Sequence, residues 1–291
     1  MIRSIEELEK NHPCFGGCRF NAGRIHLPVS AGCNIACRFC DRKINDVEIR
    51  PGVTSKVISP DEANSFIDKA LEMVPNLKVA GIAGPGDTLA SDKAFETFRK
   101  ISEKHPELLK CMSTNGLLLY ERADELIDVG IDTLTVTVNA VDPEIEAKIN
   151  EYIIFHGKFY MGEAGARILI ENQLKGIKKV AEAGVTVKVN TVLVPGINDE
   201  HIEIIAKTVK EAGAVIYNII PLIPQHKLSH ISCPTCEEIE KARAAAEKHI
   251  KVFRHCAHCR ADAVGVPGLS EYSKQVFQGR LKDVKETFSH G

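Results

Sequence analysis

The stretch Arg24-Ile-His-Leu-Pro-Val-Ser30, followed at once by Ala31-Gly-Cys33-Asn-Ile-Ala-Cys37-Arg-Phe-Cys40, decides how the chain reads. Its first half is a short apolar run of strand type, and its second half is a loop carrying three cysteines. Runs like the first half recur at Lys78 to Ala83, Leu109 to Ser113, Thr133 to Val138, Thr186 to Leu193 and Val215 to Ile220. Between them lie amphipathic stretches, predicted as helices over 92–104, 122–129, 164–183 and 200–211, several stopping near Gly130, Gly184 or Gly213. An earlier helix opens at Ser59-Pro60-Asp61-Glu62, which joins a capping box to proline at the first helical position. A last helix is predicted from Ser270 to Phe288. Strands alternating with helices predict a parallel sheet. Six such units in series predict an α/β fold, a partial (β/α)6 barrel of the TIM type, with cysteine-rich extensions at both ends. The expected divisions are 1–23, 24–223 for the barrel, and 224–291.

In such barrels the chemistry gathers on loops leaving the C-terminal ends of the strands. The cysteine loop follows the first strand, Gly84-Pro85-Gly86-Asp87 the second, Thr114-Asn115-Gly116 the third, and Asn139 the fourth, while Asn190 lies in the fifth. The glycine-rich loop is either a tight turn or a place where backbone carbonyls meet a cofactor's ammonium group. Asn139 and Asn190 suit a ribose or a carboxylate, and equally suit local backbone groups.

Composition narrows the class. A chain of 291 residues, 44% hydrophobic, can bury one sizeable core. A formal charge of -2 supplies no broad positive field for nucleic acid or anionic lipid. Acidic residues occupy Met1 to Lys10 where a signal peptide needs an apolar run, and no stretch approaches the ~20 apolar residues that span a bilayer. A cytoplasmic protein is expected. Ten cysteines in that reducing compartment point to metal binding rather than disulfides.

Cys33, Cys37 and Cys40 supply three thiolates with spacing x3 then x2. A structural zinc ion prefers four ligands, whereas three thiolates on a 4Fe-4S cubane leave one iron open. S-adenosylmethionine (SAM) can chelate that iron through its amino and carboxylate groups and be cleaved reductively to a 5′-deoxyadenosyl radical. The alternative is zinc completed by a nearby histidine. Phe39 either covers the cofactor or packs beneath the loop. Near the end, Cys233-Pro-Thr-Cys236 and Cys256-Ala-His-Cys259 are 19 residues apart, which suits a closed four-cysteine site for zinc or for an auxiliary electron-transfer cluster. Arg254 and Arg260 flank the second pair and are expected to balance thiolate charge.

At these residues the chain resembles the NifB family, the radical SAM maturases of the nitrogenase iron-molybdenum cofactor. The resemblance rests on His12-Pro-Cys14, the cysteine loop with Arg42-Lys43, Arg50-Pro-Gly-Val53 and Gly81-Ile-Ala-Gly-Pro-Gly-Asp87. It continues through Ser113-Thr-Asn-Gly116, Val138-Asn-Ala-Val-Asp-Pro143, Val189-Asn190, Val194-Pro-Gly-Ile-Asn-Asp199 and Arg254 to Gly265. It implies two further 4Fe-4S clusters, fused with a SAM-derived carbon and an added sulfur into an eight-iron carbide cluster. It also implies ligands at Cys14, His26 and Cys111 for the first of these clusters, and at Cys256 and Cys259 for the second. Iron-sulfur cluster donors and cofactor-scaffold proteins are the implied partners. The family usually carries another cysteine soon after the triplet, where this chain reads Ile44-Asn-Asp-Val-Glu48-Ile49, leaving Glu48 as a carboxylate ligand or proton acceptor. Cys18, Cys233 and Cys236 are additional here. Two rival readings are a radical SAM enzyme acting on an organic molecule or peptide, and a non-catalytic iron-sulfur scaffold or carrier.

Overall fold

The structure, a computed structural model, describes residues 4–17, 21–277 and 285–286. Cys18 lies outside the described residues. Helix α1 (Ile5–Asn11) opens the chain, with Ser4 accepting from the Glu7 amide as its N-cap. Strands β1 (Gly23–His26), β2 (Ile35–Cys37), β3 (Lys43–Ile44) and β4 (Val53–Thr54) follow. The regular alternation then begins: α2 (Ala63–Met73), β5 (Leu77–Ile82), α3 (Lys93–Lys104), β6 (Leu109–Thr114), α4 (Leu119–Asp128) and β7 (Thr133–Thr137). Next come α5 (Pro143–Ile149), β8 (Asn150–Phe155), β9 (Lys158–Met161), α6 (Gly162–Glu182), β10 (Thr186–Leu193), α7 (Ile202–Glu211) and β11 (Ile216–Pro221). The end carries α8 (Cys236–Glu247), β12 (Lys251–Val252), β13 (Val264–Gly265), α9 (Ser273–Phe277) and β14 (Lys285–Glu286).

The main sheet runs β12-β11-β10-β7-β6-β5-β1-β13. Every pair from β1 to β12 is parallel, and β13 joins the edge antiparallel to β1. Its two ends do not pair with each other among the described residues, so the barrel is partial, as expected. The outward side chains, among them Ala80, Ile82, Met112, Leu134, Val136, Val187, Val189 and Tyr217, build the main core with the helices. At the N-terminal end of the strands, Leu8 of α1 packs on Val79 and Leu109 and plugs the inside.

The six expected strands all form, and the ends differ for physical reasons. The first stops at His26 instead of Ser30, because Pro28 has no amide to continue the ladder. The chain then runs on to a parallel bridge between Ser30 and Pro85. The capping box at Ser59 is present and leads through a short turn into α2. Of the helix expected over 270–288, the described residues show Ser273–Phe277 as helix, while residues 285–286 are extended and pair with β3.

The hairpin β8–β9 was not expected from the sequence. Its two-residue turn, His156-Gly157, has positive φ at both positions, +50° and +72°, the left-handed geometry that matches strand twist. Histidine in place of the usual asparagine hides that signal. The hairpin matters because β8 pairs with β2 and thereby holds the cysteine loop, with Ile35 opposite Ile153 and Cys37 opposite Asn150.

Candidate active site

A cavity of about 330 Å³ opens at the C-terminal ends of the parallel strands. Cys33, Cys37 and Cys40 line it, and so do Cys14, His26, Cys111, Cys256 and Cys259. Residues as far apart in sequence as Cys14 and Cys259 are thus brought to one space. Among the described residues, no three His, Cys, Asp or Glu side chains gather tightly enough for a single metal ion. Zinc would draw its sulfurs to within about 4 Å of one another, whereas these side chains line a cavity.

The cysteine loop is fixed from several sides. The Arg38 amide donates to the Ile149 carbonyl at 2.9 Å and the Ile154 amide to the Asn34 carbonyl at 2.8 Å. Asn115 donates from Nδ2 to Asn34 Oδ1 at 2.7 Å, and the same nitrogen stands 3.7 Å from the Cys33 sulfur. Burial pushes the Cys33 thiol up to about 12 and the Cys37 and Cys40 thiols upward, while Arg42 draws all three back down. Arg42 donates to the Ala31 carbonyl at 3.0 Å, and its other terminal nitrogen is buried with no partner. A buried cationic donor beside three thiols fits a thiolate-bound cluster, whose sulfurs accept hydrogen bonds.

The glycine-rich loop acts as a support for that one. The Gly86 amide donates to the Ser30 carbonyl at 2.7 Å and the Asp87 amide to the Gly32 carbonyl at 2.8 Å. A Cβ on Gly86 would overlap the Gly32 carbonyl oxygen and come within 2.6 Å of that of Ala31, so only glycine allows this approach. Asp87 accepts from Thr114 Oγ1 at 2.8 Å, the Asn115 amide at 2.7 Å and the Leu89 amide at 3.0 Å. Both its carboxylate oxygens are therefore used inside the protein. Burial raises its pKa and these donors oppose the rise. Asp87 and Thr114 thus orient the loops, and Gly84, next to Pro85, does not line the cavity. Asn139 accepts from the Val192 amide at 3.0 Å, and Asn190 accepts from Asn218 Nδ2 at 3.1 Å, although both also face the cavity.

Free acceptors come from residues that the sequence reading passed over. Glu146 Oε2, Asn150 Oδ1, Gln173 Oε1 and Asn218 Oδ1 are buried without partners, and all four residues line the cavity. Glu146 accepts from Asn150 on its other oxygen, and burial raises its pKa to about 7 against the pull of that bond and of the Ala140 backbone amide. Gln173 of α6 donates to the Asn115 and Thr137 carbonyls at 2.8 and 2.9 Å. Buried acceptors need donors, and the ammonium, ribose hydroxyls and adenine amino group of SAM supply them. The residues therefore fit both the cluster and SAM.

On the opposite wall, His26, Gly81 and Cys111 form one row across three strands. His26 and Cys111 stand two strands apart, about 10 Å between backbones, and Gly81 leaves the space between them open. A Cβ there would lie 3.2 Å from the His26 ring and 3.7 Å from Cys111 Cβ. His26 Nδ1 is 3.1 Å from the Arg260 carbonyl, which can only accept, so Nδ1 carries the proton and Nε2 keeps its lone pair for a metal. Burial, then Arg24, pushes the His26 pKa down to about 4, which keeps the ring neutral. Burial pushes the Cys14 thiol up to about 12, and Lys188 opposes this.

Other expected residues lie elsewhere. Cys233 and Cys236 are exposed and do not line the cavity, so the four-cysteine arrangement with Cys256 and Cys259 is not assembled. Glu48 is also outside the cavity lining. Partial burial pulls its pKa up, but Arg50, bonded at 2.6–2.7 Å, holds it below the usual carboxylate value, with Asn45 donating at 3.0 Å. Its carboxylate is engaged in an ion pair rather than offered to a cluster. Arg254 pairs with Glu240 and Glu247 on the surface, and Arg260 pairs with Asp262 and binds the Asn45 and Glu48 carbonyls. The guanidinium that meets the C-terminal thiols is instead Arg24, 3.3 Å from the Cys259 sulfur, with further bonds to the Gly265 carbonyl and Glu271. Its 235-residue separation from Cys259 left no local sign of this contact.

Comparisons with known proteins agree with this geometry. Residues 27–209 match the radical SAM superfamily. Among solved structures, a radical SAM methyltransferase from Sphaerobacter thermophilus superposes with a TM-score of 0.60 at 17% identity, covering 82% of this chain and 69% of that one. Streptococcus suis SuiB bound to S-adenosylmethionine gives 0.57 at 13% identity, covering 81% and 51%. The chain is a radical SAM enzyme, with a 4Fe-4S cluster and SAM as cofactors. It is also 47% identical to the FeMo cofactor biosynthesis protein NifB of Methanocaldococcus jannaschii, over 99% of this chain and 98% of that protein. The protein of the same name from Methanocaldococcus infernus is 48% identical over 97% and 94%. That of Azotobacter vinelandii is 41% identical over 91% of this chain but 54% of its own length. The chain belongs to the NifB family.

Proposed function

We propose that this enzyme serves FeMo cofactor biosynthesis by fusing two 4Fe-4S substrate clusters into an eight-iron cluster, with a carbon from the SAM methyl group and an added sulfur. The observation that carries this reading is the convergence of three ligand groups on one cavity: Cys33, Cys37 and Cys40; Cys14, His26 and Cys111; Cys256 and Cys259. When bound at the triplet, the radical SAM cluster supplies the electron that splits SAM and releases the 5′-deoxyadenosyl radical. The protein's own part is placement. Glu146, Asn150 and Gln173 offer acceptors for SAM, Asn115 and Asp87 brace the loops that hold it, and neutral His26 presents a lone pair to iron. A radical of this kind acts usefully only on a target in contact with it, and the sharing of one cavity by the three groups supports that arrangement. Cluster donors and a cofactor-accepting scaffold are the proposed partners, since the reaction consumes and produces clusters. The cytoplasm is the proposed compartment, where thiols stay reduced.

The test is anaerobic reconstitution with methyl-labelled SAM. About twelve irons per chain are expected, four for each cubane, with 5′-deoxyadenosine formed on reduction and label recovered in an acid-labile cluster. Cys37→Ala should abolish SAM cleavage. A plateau near four irons, with label only in a small organic product or peptide, would overturn the reading and favour the rival radical SAM enzyme.

A further inference from the structure

Among the described residues, a cation inside the barrel, Lys188, has no carboxylate paired with it. Lys188 lies in the middle of β10 and is 5% exposed, level with Thr135 of β7 on one side and Ile216 of β11 on the other. Val187 and Val189 face outward into the core, so Lys188 faces inward and lines the cavity. Its Nζ stands 5.4 Å from the ring centre of Phe15, the residue after Cys14, and 5.5 Å from that of Phe253. Phe15 and Phe253 pack in one cluster with Cys14 and Cys256. No carboxylate among the described residues pairs with Lys188.

Burying an ammonium costs several kcal/mol unless charge or hydrogen bonds compensate. Two aromatic faces at this distance return about 2 kcal/mol each when desolvated, which offsets part of that cost. Further compensation is available from the space in front of the ammonium, where Cys14, His26 and Cys111 line the same cavity. A four-iron core carries two positive charges when oxidised, and two thiolates cancel them. A metal-bound imidazole adds no charge, so one added electron leaves the assembly net negative. A nearby fixed cation favours that state.

We propose that Lys188 is a positioning residue for the substrate cluster at Cys14, His26 and Cys111, supplying the positive charge that stabilises this cluster in its reduced form. This rests on the reading that these three residues ligate a cluster. It explains why a lysine stands between two valines in a strand whose neighbours on the same face are Thr186 and Asn190.

The experiment uses the full chain in which Cys33, Cys37, Cys40, Cys256 and Cys259 are replaced by alanine, leaving one cluster site. Iron is counted after anaerobic reconstitution, and an EPR-monitored dithionite titration follows the reduced fraction. With Lys188 intact, about four irons are expected. In Lys188→Met the ratio of reduced to oxidised cluster at a fixed potential should fall about tenfold, a shift of about 59 mV to lower potential for one electron. Lys188→Arg should stay within about twofold of the parent, because it keeps the charge. If Lys188→Met fails to retain iron, recovery in Lys188→Arg supports the charge role. An unchanged ratio in Lys188→Met, or a loss that Lys188→Arg does not restore, overturns it. Absence of iron with Lys188 intact refutes the ligand set beneath the proposal, and so separates the two failures.

Discussion

Two Cys-x-x-Cys pairs lie 19 residues apart in the C-terminal segment and come to opposite ends. Cys233 and Cys236 are exposed, and Cys236 begins α8, a surface helix that buries little beyond Ala242 and Ala246. Cys256 and Cys259 line the cavity. Spacing within a pair does not separate them; the flanking elements do. The second pair sits between β12 and β13, which are the two ends of the main sheet. The chain between those strands has to bridge the gap left by the incomplete barrel, and so it carries its cysteines to the site. The first pair is under no such constraint.

The strongest way to break this comparison is to remove each pair in turn. Cys256→Ala with Cys259→Ala is expected to lose about four of the proposed twelve irons and all incorporation of methyl label, while SAM cleavage at the triplet continues. Cys233→Ala with Cys236→Ala is expected to leave iron, cleavage and labelling unchanged. Iron counting and label recovery on the same preparations decide the matter. Equal losses in both variants would mean that the outer pair belongs to a cluster site.

What the sequence showed and what it hid follow the same logic of near and far. The βα order, the triplet after the first strand and the loop at Gly84 to Asp87 are local patterns, and they were legible to within a few residues. The inner face of the barrel was harder. Parallel strands buried on both sides usually read as continuous apolar runs, yet here Thr133, Thr135 and Thr137 alternate with Leu134 and Val136, and Lys188 and Asn190 with Val187 and Val189. That period-two polarity marked a polar interior and was available in the sequence. Gln173 and Arg24 left no such trace, because each acts on a loop far away along the chain. Adjacency misled at Arg254 and Arg260, which flank the thiols in sequence but bind carboxylates and carbonyls in space.

A second test targets the proposed cluster site at Cys14, His26 and Cys111 without touching any of the three residues. In Gly81→Val the side chain fills the gap between His26 and Cys111, where even a Cβ lies 3.2 Å from the imidazole. Overpacking of this kind costs about 1–3 kcal/mol, which a folded protein tolerates. The expected outcome is a cooperative melt with about four fewer irons and an unaltered cluster at Cys33, Cys37 and Cys40. Full iron content would show that the row of His26, Gly81 and Cys111 is not a cluster cradle.

Arg24 gives a smaller and more selective effect. It bonds the Cys259 sulfur at 3.3 Å and ties that segment to Glu271 and Gly265. Arg24→Met should weaken iron retention at the Cys256 and Cys259 site about tenfold in a chelator challenge, the equivalent of one charge-assisted hydrogen bond. Arg24→Lys should recover part of that loss, since it keeps the charge but not the forked geometry. Equal loss at the radical SAM triplet would mean that Arg24 supports the fold as a whole rather than this pair.

The smallest expected effect concerns the outer pair. Thr235 caps α8: its hydroxyl accepts from the Glu238 amide at 3.2 Å, and Glu238 accepts from the Thr235 amide at 2.7 Å. Thr235→Ala removes the hydroxyl half of this box, which typically costs about 1 kcal/mol and lowers the melting temperature by about 2 °C in a chain of this size. Because α8 packs on the outside of the sheet, the loss should stay local. Iron content, SAM cleavage and the potential of each cluster are expected to match those of the parent protein. Calorimetry and iron counting on the same sample provide the check. A cluster lost together with the cap would show that α8, which leads directly into β12 and on to Cys256, transmits strain to the cavity, and the two cysteine pairs would then share one structural unit after all.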